Sequence, residues 1–100
     1  TPQPKPEQEE VDLHIHELVE DEKEPNNHEM LQLQLDYFRR KMQDAIARKL
    51  KRIVFIHGVG NGVLKLELRK ELERKYKEYK YQDASFAEYG YGATMVILRR

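Results

Sequence analysis

The chain has 100 residues, with 18 basic and 18 acidic side chains and neither cysteine nor tryptophan. That length allows one small domain, and the composition excludes a disulfide framework, thiol catalysis and cysteine-ligated zinc. Zero net charge excludes a uniformly basic nucleic-acid binder, and no apolar run approaches the ~20 residues needed to cross a bilayer, so no membrane association is expected. The neutrality is a cancellation: residues 1–29 carry −8, residues 39–52 carry +6 and residues 65–81 carry +3.

Residues 1–10 alternate Pro2, Pro4 and Pro6 with polar residues and then run into Glu7, Glu9 and Glu10. Such a composition reads as a disordered linker from an upstream region, with the folded domain spanning residues 11–100. Thr1 in place of a starting Met points the same way, to a C-terminal domain of a longer protein. Residues 11–16 alternate apolar and polar and read as a strand with Val11, Leu13 and Ile15 inward. A long acidic loop follows through residue 27. From His28, the residues Leu31, Leu35, Phe38, Met42, Ala45 and Ile46 recur at helical spacing, with Asn27 as N-cap and an end near residues 49–51.

Ile53, Val54, Phe55 and Ile56 form a continuous apolar run, the pattern of a strand buried on both faces. Gly58, Gly60 and Gly62 then turn the chain into a second helix, residues 62–79, with Leu64, Leu68, Leu72 and Tyr76 as its apolar stripe. Residues 84–88 read as a strand, 89–92 as a turn and 93–98 as a last, β-branched strand. The order β-α-β-α-β-β predicts an α/β two-layer sandwich: a four-stranded mixed sheet, two parallel β-α-β steps and a final hairpin, with both helices on one face.

In an open α/β sheet, ligands collect beyond the carboxyl ends of parallel strands. Those ends carry Asp12, His14 and His16 on one strand and His57 on the next. The glycine turn opens a helix whose first amides lack intrahelical partners and carry positive partial charge, a setting for phosphate at Gly58, Gly60, Asn61 and Gly62. It also reads as a plain tight connection. The turn lacks the Gly-Lys-Ser/Thr ending of a P-loop and the spacing of a dinucleotide fingerprint, so no nucleotide cofactor is expected. Asp12, His14, His16 and His57 read as the polar side of an edge strand, as ligands for a divalent metal, or as a proton-transfer set acting on a phosphodiester. Arg48, Lys49, Lys51 and Arg52 cluster at the end of the first helix, either as a solvated face or as phosphate contacts. Tyr89 and Tyr91 bracket Gly90, with rings suited to stacking on unpaired bases.

Val11-Asp12-Leu13-His14, followed far downstream by His57-Gly58-Val59-Gly60-Asn61-Gly62-Val63-Leu64-Lys65, resembles the Smr (small MutS-related) domain family. Gly90, Gly92, Ala93, Thr94 and Val96 match that family's last glycine turn and strand. The resemblance spans residues 11–98. It implies a fold similar to the C-terminal domain of a bacterial translation initiation factor, DNA or RNA as partner, a cytoplasmic setting and weak endonuclease (nicking) action. It also implies Asp12, His14 and His57 as site residues, Gly58, Gly60 and Gly62 as the phosphate turn, and Lys65 as the base that follows. The sequence departs from the family pattern at Ile15, where a glycine is usual, at Val59, where a base is common, and at Asn61, where a small hydroxylated residue is common. These departures and the acidic loop 17–24 define the alternative, a non-catalytic protein-interaction module.

Overall fold

A computed structural model describes residues 7–14 and 26–99. Ile15, His16, the acidic loop 17–24 and Arg100 lie outside the described residues. The elements in chain order are β1 (Gln8–Asp12), α1 (Asn27–Ala47), β2 (Arg52–Ile56), α2 (Val63–Lys75), β3 (Lys80–Asp83), α3 (Phe86–Tyr89) and β4 (Ala93–Ile97).

The strands form one four-stranded mixed sheet in the order β1-β2-β4-β3. β1 pairs parallel with β2, bringing Asp12 opposite Ile56. β4 runs antiparallel to both β2 and β3, with Phe55 opposite Thr94 and Asp83 opposite Thr94 on its other side. Only the first β-α-β step therefore ends in a parallel pair: β4 inserts between β2 and β3, where two successive parallel pairings were expected. The carboxyl ends of β1, β2 and β3 and the start of β4 all lie at one end of the sheet.

Period-two alternation divides β2 between two faces. Ile53 and Phe55 face α1 and α2, packing with Phe38, Met42, Leu68, Leu72 and Val96 in the main core. Val54 faces away, toward Ala84 and Ala93, with Tyr89 packed beside them. Both long helices thus lie on one face, and the segment around α3 covers part of the other. Phe38 sets its ring edge-to-face against Phe55, with centroids 4.8 Å apart, and against Tyr76 at 6.2 Å.

The element boundaries follow local chemistry. Asn26, one residue before the expected cap, accepts the Glu29 amide at 2.8 Å and donates to its carboxylate, so α1 starts at Asn27. α1 stops at Ala47 because Lys49 turns left-handed, with φ of 59°. α2 ends at Lys75 rather than near Tyr79. The buried Tyr76 ring keeps to the apolar stripe while its backbone leaves helical geometry, at φ −126° and ψ 46°. The third strand occupies Lys80–Asp83, and the stretch read as a strand, 84–88, instead enters the short α3. β1 begins at Gln8 and ends at Asp12, so residues 8–10 of the stretch read as linker pair with β2.

Candidate functional site

The site assembles at the shared strand end, around the two glycine turns. The amides of His57 and Gly58 both donate to the Gly92 carbonyl, at 3.0 and 2.9 Å. The approach at Gly92 is close: a Cβ there would stand 3.2 Å from the Tyr89 carbonyl and 3.4 Å from Gly58 Cα, so a side chain would press these turns apart by a few tenths of an ångström. Gly58 has φ of +74°, in the left-handed region that side chains resist.

Two histidines flank Gly58 in different states. His57 continues the core-facing side of β2 and is partly buried. Its Nδ1 bonds the Gly58 carbonyl at 2.8 Å, and its Nε2 meets Thr94 Oγ1 at 2.9 Å. A carbonyl only accepts, so Nδ1 carries the proton and Nε2 receives the Thr94 hydroxyl hydrogen. Burial holds the imidazole below its usual pKa, and the nearby Lys65 and Arg69 cations act in the same direction. His57 is thus a neutral ring with both nitrogens engaged inside the protein.

The Thr94 oxygen in turn accepts from Arg69, at 3.1 Å from Nη2 and 3.3 Å from Nε. The same guanidinium bonds Asp83, and Lys65 Nζ lies 3.4 Å from that carboxylate. Hydrogen bonding to Arg69 holds the Asp83 carboxyl below its usual range. A polar chain therefore runs from the glycine turn through His57, Thr94 and Arg69 to Asp83 and Lys65. Thr94 is fully buried, so its bonds with His57 and Arg69 satisfy a hydroxyl that water cannot reach.

His14 lies on the other side of Gly58. Val11 and Leu13 point into the core, and period two turns Asp12 and His14 away from it. Asp12 Oδ1 accepts the His14 amide at 2.9 Å and also bonds its Nδ1. The Asp12 carboxylate accepts from Nδ1, which fixes the proton on that nitrogen and orients the ring. Its Nε2 would stand 3.6 Å from a Cβ at Gly58, so the ring sits beside the glycine turn.

The turn's amides are only partly available. Gly58 donates to Gly92, Gly62 donates to the Val59 carbonyl at 3.2 Å, and Val63 donates to Asn61 Oδ1 at 3.0 Å. Asn61 thus takes up the first amide of α2 from just before the N-cap residue, Gly62. The amides of Gly60, Asn61, Leu64 and Lys65 find no protein acceptor among the described residues. Beside them a cavity of about 510 Å³ opens between the N-terminal ends of α1 and α2, bordered by His28, Gln34, His57, Gly60 and Asn61.

The structure does not bring the basic cluster to this site. Arg52 opens β2, about 16 Å along the strand from His57 at ~3.3 Å per residue. There Arg48 pairs with Glu9 at 2.6 Å and with Asp44 at 2.8 Å, and Lys51 pairs with Glu7 at 3.2 Å. Arg39 bonds Glu71 and ties α1 to α2. Tyr89 packs against the far face and donates its hydroxyl to Glu10, which pushes its pKa up. Tyr91 is exposed and pairs with Phe86. Sequence reasoning missed Thr94's hydroxyl, Arg69 and Phe86. The one signal for Arg69 is its position four residues after Lys65, on the same helical face. Among the described residues, no group of three or more His, Asp or Glu side chains is placed to hold a metal, and no helix is long and apolar enough to cross a membrane.

A mixed four-stranded sheet with a histidine-glycine turn feeding a helix, and an aspartate-histidine pair on the neighbouring parallel strand, defines a class of small α/β domains. The Smr domain family model matches residues 28–99, and the chain belongs to that family. The match begins at α1 and does not include β1, where Asp12 and His14 reside. A curated relative, the endonuclease MutS2 of Finegoldia magna, is 34% identical over 58 residues, which is 58% of this chain and 7% of that protein's length. The chain thus spans a small part of the relative it matches. The crystal structure of the Smr domain of Thermus thermophilus MutS2 superposes with a TM-score of 0.66 at 27% identity, covering 92% of this chain and 99% of that one.

Proposed function

We propose that the domain binds DNA or RNA at the glycine-turn end of the sheet and cleaves a phosphodiester there. The observation that carries this reading is the Asp12–His14 pair set against Gly58, beside the unused amides of Gly60, Asn61, Leu64 and Lys65. A phosphate at those amides meets donors that do not need to reorganise, together with the positive end of α2. His14 Nε2 takes the proton from a water, whose oxygen forms the new bond to phosphorus as the bond to the leaving oxygen breaks. Asp12 stabilises the resulting imidazolium. His57, with both nitrogens engaged, holds the turn in shape as a positioning residue rather than moving a proton. The relationship to a protein named as an endonuclease supports the same reading.

The test is incubation with supercoiled plasmid and with structured RNA, with and without a divalent metal, comparing the native chain with His14→Ala. The proposal expects cleavage by the native chain and loss in the variant. Equal residual cleavage in both would remove the enzymatic half of the proposal.

A second reading, a non-catalytic interaction module, is favoured by one observation: Val59, Val63 and Leu66 expose apolar surface around the start of α2. Titration with oligonucleotides separates the two readings. Binding that weakens steeply with salt supports the nucleic-acid reading, and no affinity at low salt supports the module.

A further inference from the structure

We propose that Phe86 and Tyr91 form a stacking platform for an unpaired nucleobase, so that the preferred substrate carries unpaired bases near the cleaved phosphate. The inference rests on the nucleic-acid reading above and narrows it. Phe86 is 64% exposed and Tyr91 62% exposed, although a small core would gain from burying them. The neighbouring Tyr89 shows the contrast, since it is packed against Val54, Ala84 and Ala93.

The two exposed rings are not independent. Their centroids lie 4.9 Å apart at an interplanar angle of 64°, so each restrains the other in an edge-to-face pair. Lys65 Nζ sits over the Tyr91 ring, 5.9 Å from its centroid, a cation within reach of the phosphate of a nucleotide stacked on the pair. Asp83 and Glu88 are the acids of this neighbourhood, and Asp83 is already bonded by Arg69.

The backbone links the platform to the site. Tyr91 immediately precedes Gly92, whose carbonyl holds the His57 and Gly58 amides, and Gly58 borders His14. A paired base hides its faces in the helical stack, whereas an unpaired base offers one to a ring. The flanking cation favours a nucleotide over a purely apolar protein segment.

The experiment compares the 100-residue chain with Phe86→Ala, Tyr91→Ala, Phe86→Leu and Tyr91→Leu. The probes are a hairpin carrying 2-aminopurine in its loop and a fully paired duplex of equal length, at low salt. Both sites are exposed, and circular dichroism confirms that each variant retains the fold. The proposal expects tighter binding to the loop-bearing probe and a fluorescence change at the 2-aminopurine. It also expects about tenfold loss of loop affinity in the Ala and Leu variants, with duplex affinity unchanged. Loop preference retained in all variants overturns the platform. Full affinity in the Leu variants overturns it in favour of an apolar docking patch. Equal binding of both probes by the native chain overturns the platform while leaving the nucleic-acid reading intact, and binding of neither probe overturns both.

Discussion

The two ends of the sheet use charge in opposite ways. At the amino end of β2, the exposed residues Arg48 and Lys51 are matched by Glu9, Asp44 and Glu7. At the carboxyl end, Arg69 and Lys65 converge on the carboxylate of Asp83, beside a turn in which the amides of Gly60 and Asn61 find no protein acceptor among the described residues. Two members of the denser basic cluster, Arg48 and Lys51, are thus held in ion pairs away from the glycine turn. Under the proposed reading, phosphate goes to the end whose backbone donors the fold has not already used, rather than to the end with the most basic residues.

The largest effect that tests this contrast is on cleavage. His14→Ala should lower the rate by about 10²- to 10⁴-fold, the usual contribution of a positioned acid-base group, while Arg52→Ala should leave it unchanged. Rates on plasmid substrate check both. A large loss in Arg52→Ala would move the active end of the molecule.

Stability should respond next. Thr94→Val preserves shape but leaves His57 Nε2 and the Arg69 donors without their shared partner, an expected cost of about 1–3 kcal/mol. Urea denaturation measures it, and an unchanged midpoint would mean that the polar chain does not support the turn.

Binding follows. Lys65→Gln should reduce the slope of log affinity against log salt by about 1, and Lys51→Gln should not. Fluorescence anisotropy over a salt series distinguishes the two ends directly.

The smallest effect is on pH dependence. The folded state holds His57 below the ~6.5 of an unfolded histidine. Between those two values the unfolded chain binds more protons, so stability rises with pH across that window and is fully present above it. Acidification below about pH 6.5 should therefore destabilise the protein through this residue. His57→Gln should flatten that part of the curve in denaturation experiments between neutral and mildly acidic pH.

The sequence reveals this contrast unevenly. α1 and β2 are legible because their apolar residues follow helical and buried-strand patterns without interruption, and the glycine turn is legible because Gly58, Gly60 and Gly62 interrupt them. β3 is not: Lys80, Tyr81, Gln82 and Asp83 form an edge strand paired only to β4, so no hydrophobic pattern marks it. The charged start of β1 is obscured for the same reason.

At the site, Asp12 and His14 are legible from period two and His57 from its place at the end of the next strand, and the family resemblance names the same three residues. The link from His57 to Thr94 spans 37 residues, and that from Arg69 to Thr94 spans 25. Local spacing carries no trace of either. The pairing of Arg48 is hidden in the same way, since its partner Glu9 lies 39 residues away, inside the stretch that reads as linker.

The most direct test is an amide chemical-shift map recorded during titration with a short loop-bearing oligonucleotide. The account predicts that the largest shifts fall at His14, at residues 58–65 and at Tyr91, with little change at Arg48, Lys49, Lys51 and Arg52. Shifts centred on those four basic residues, with the glycine turn unmoved, would contradict it.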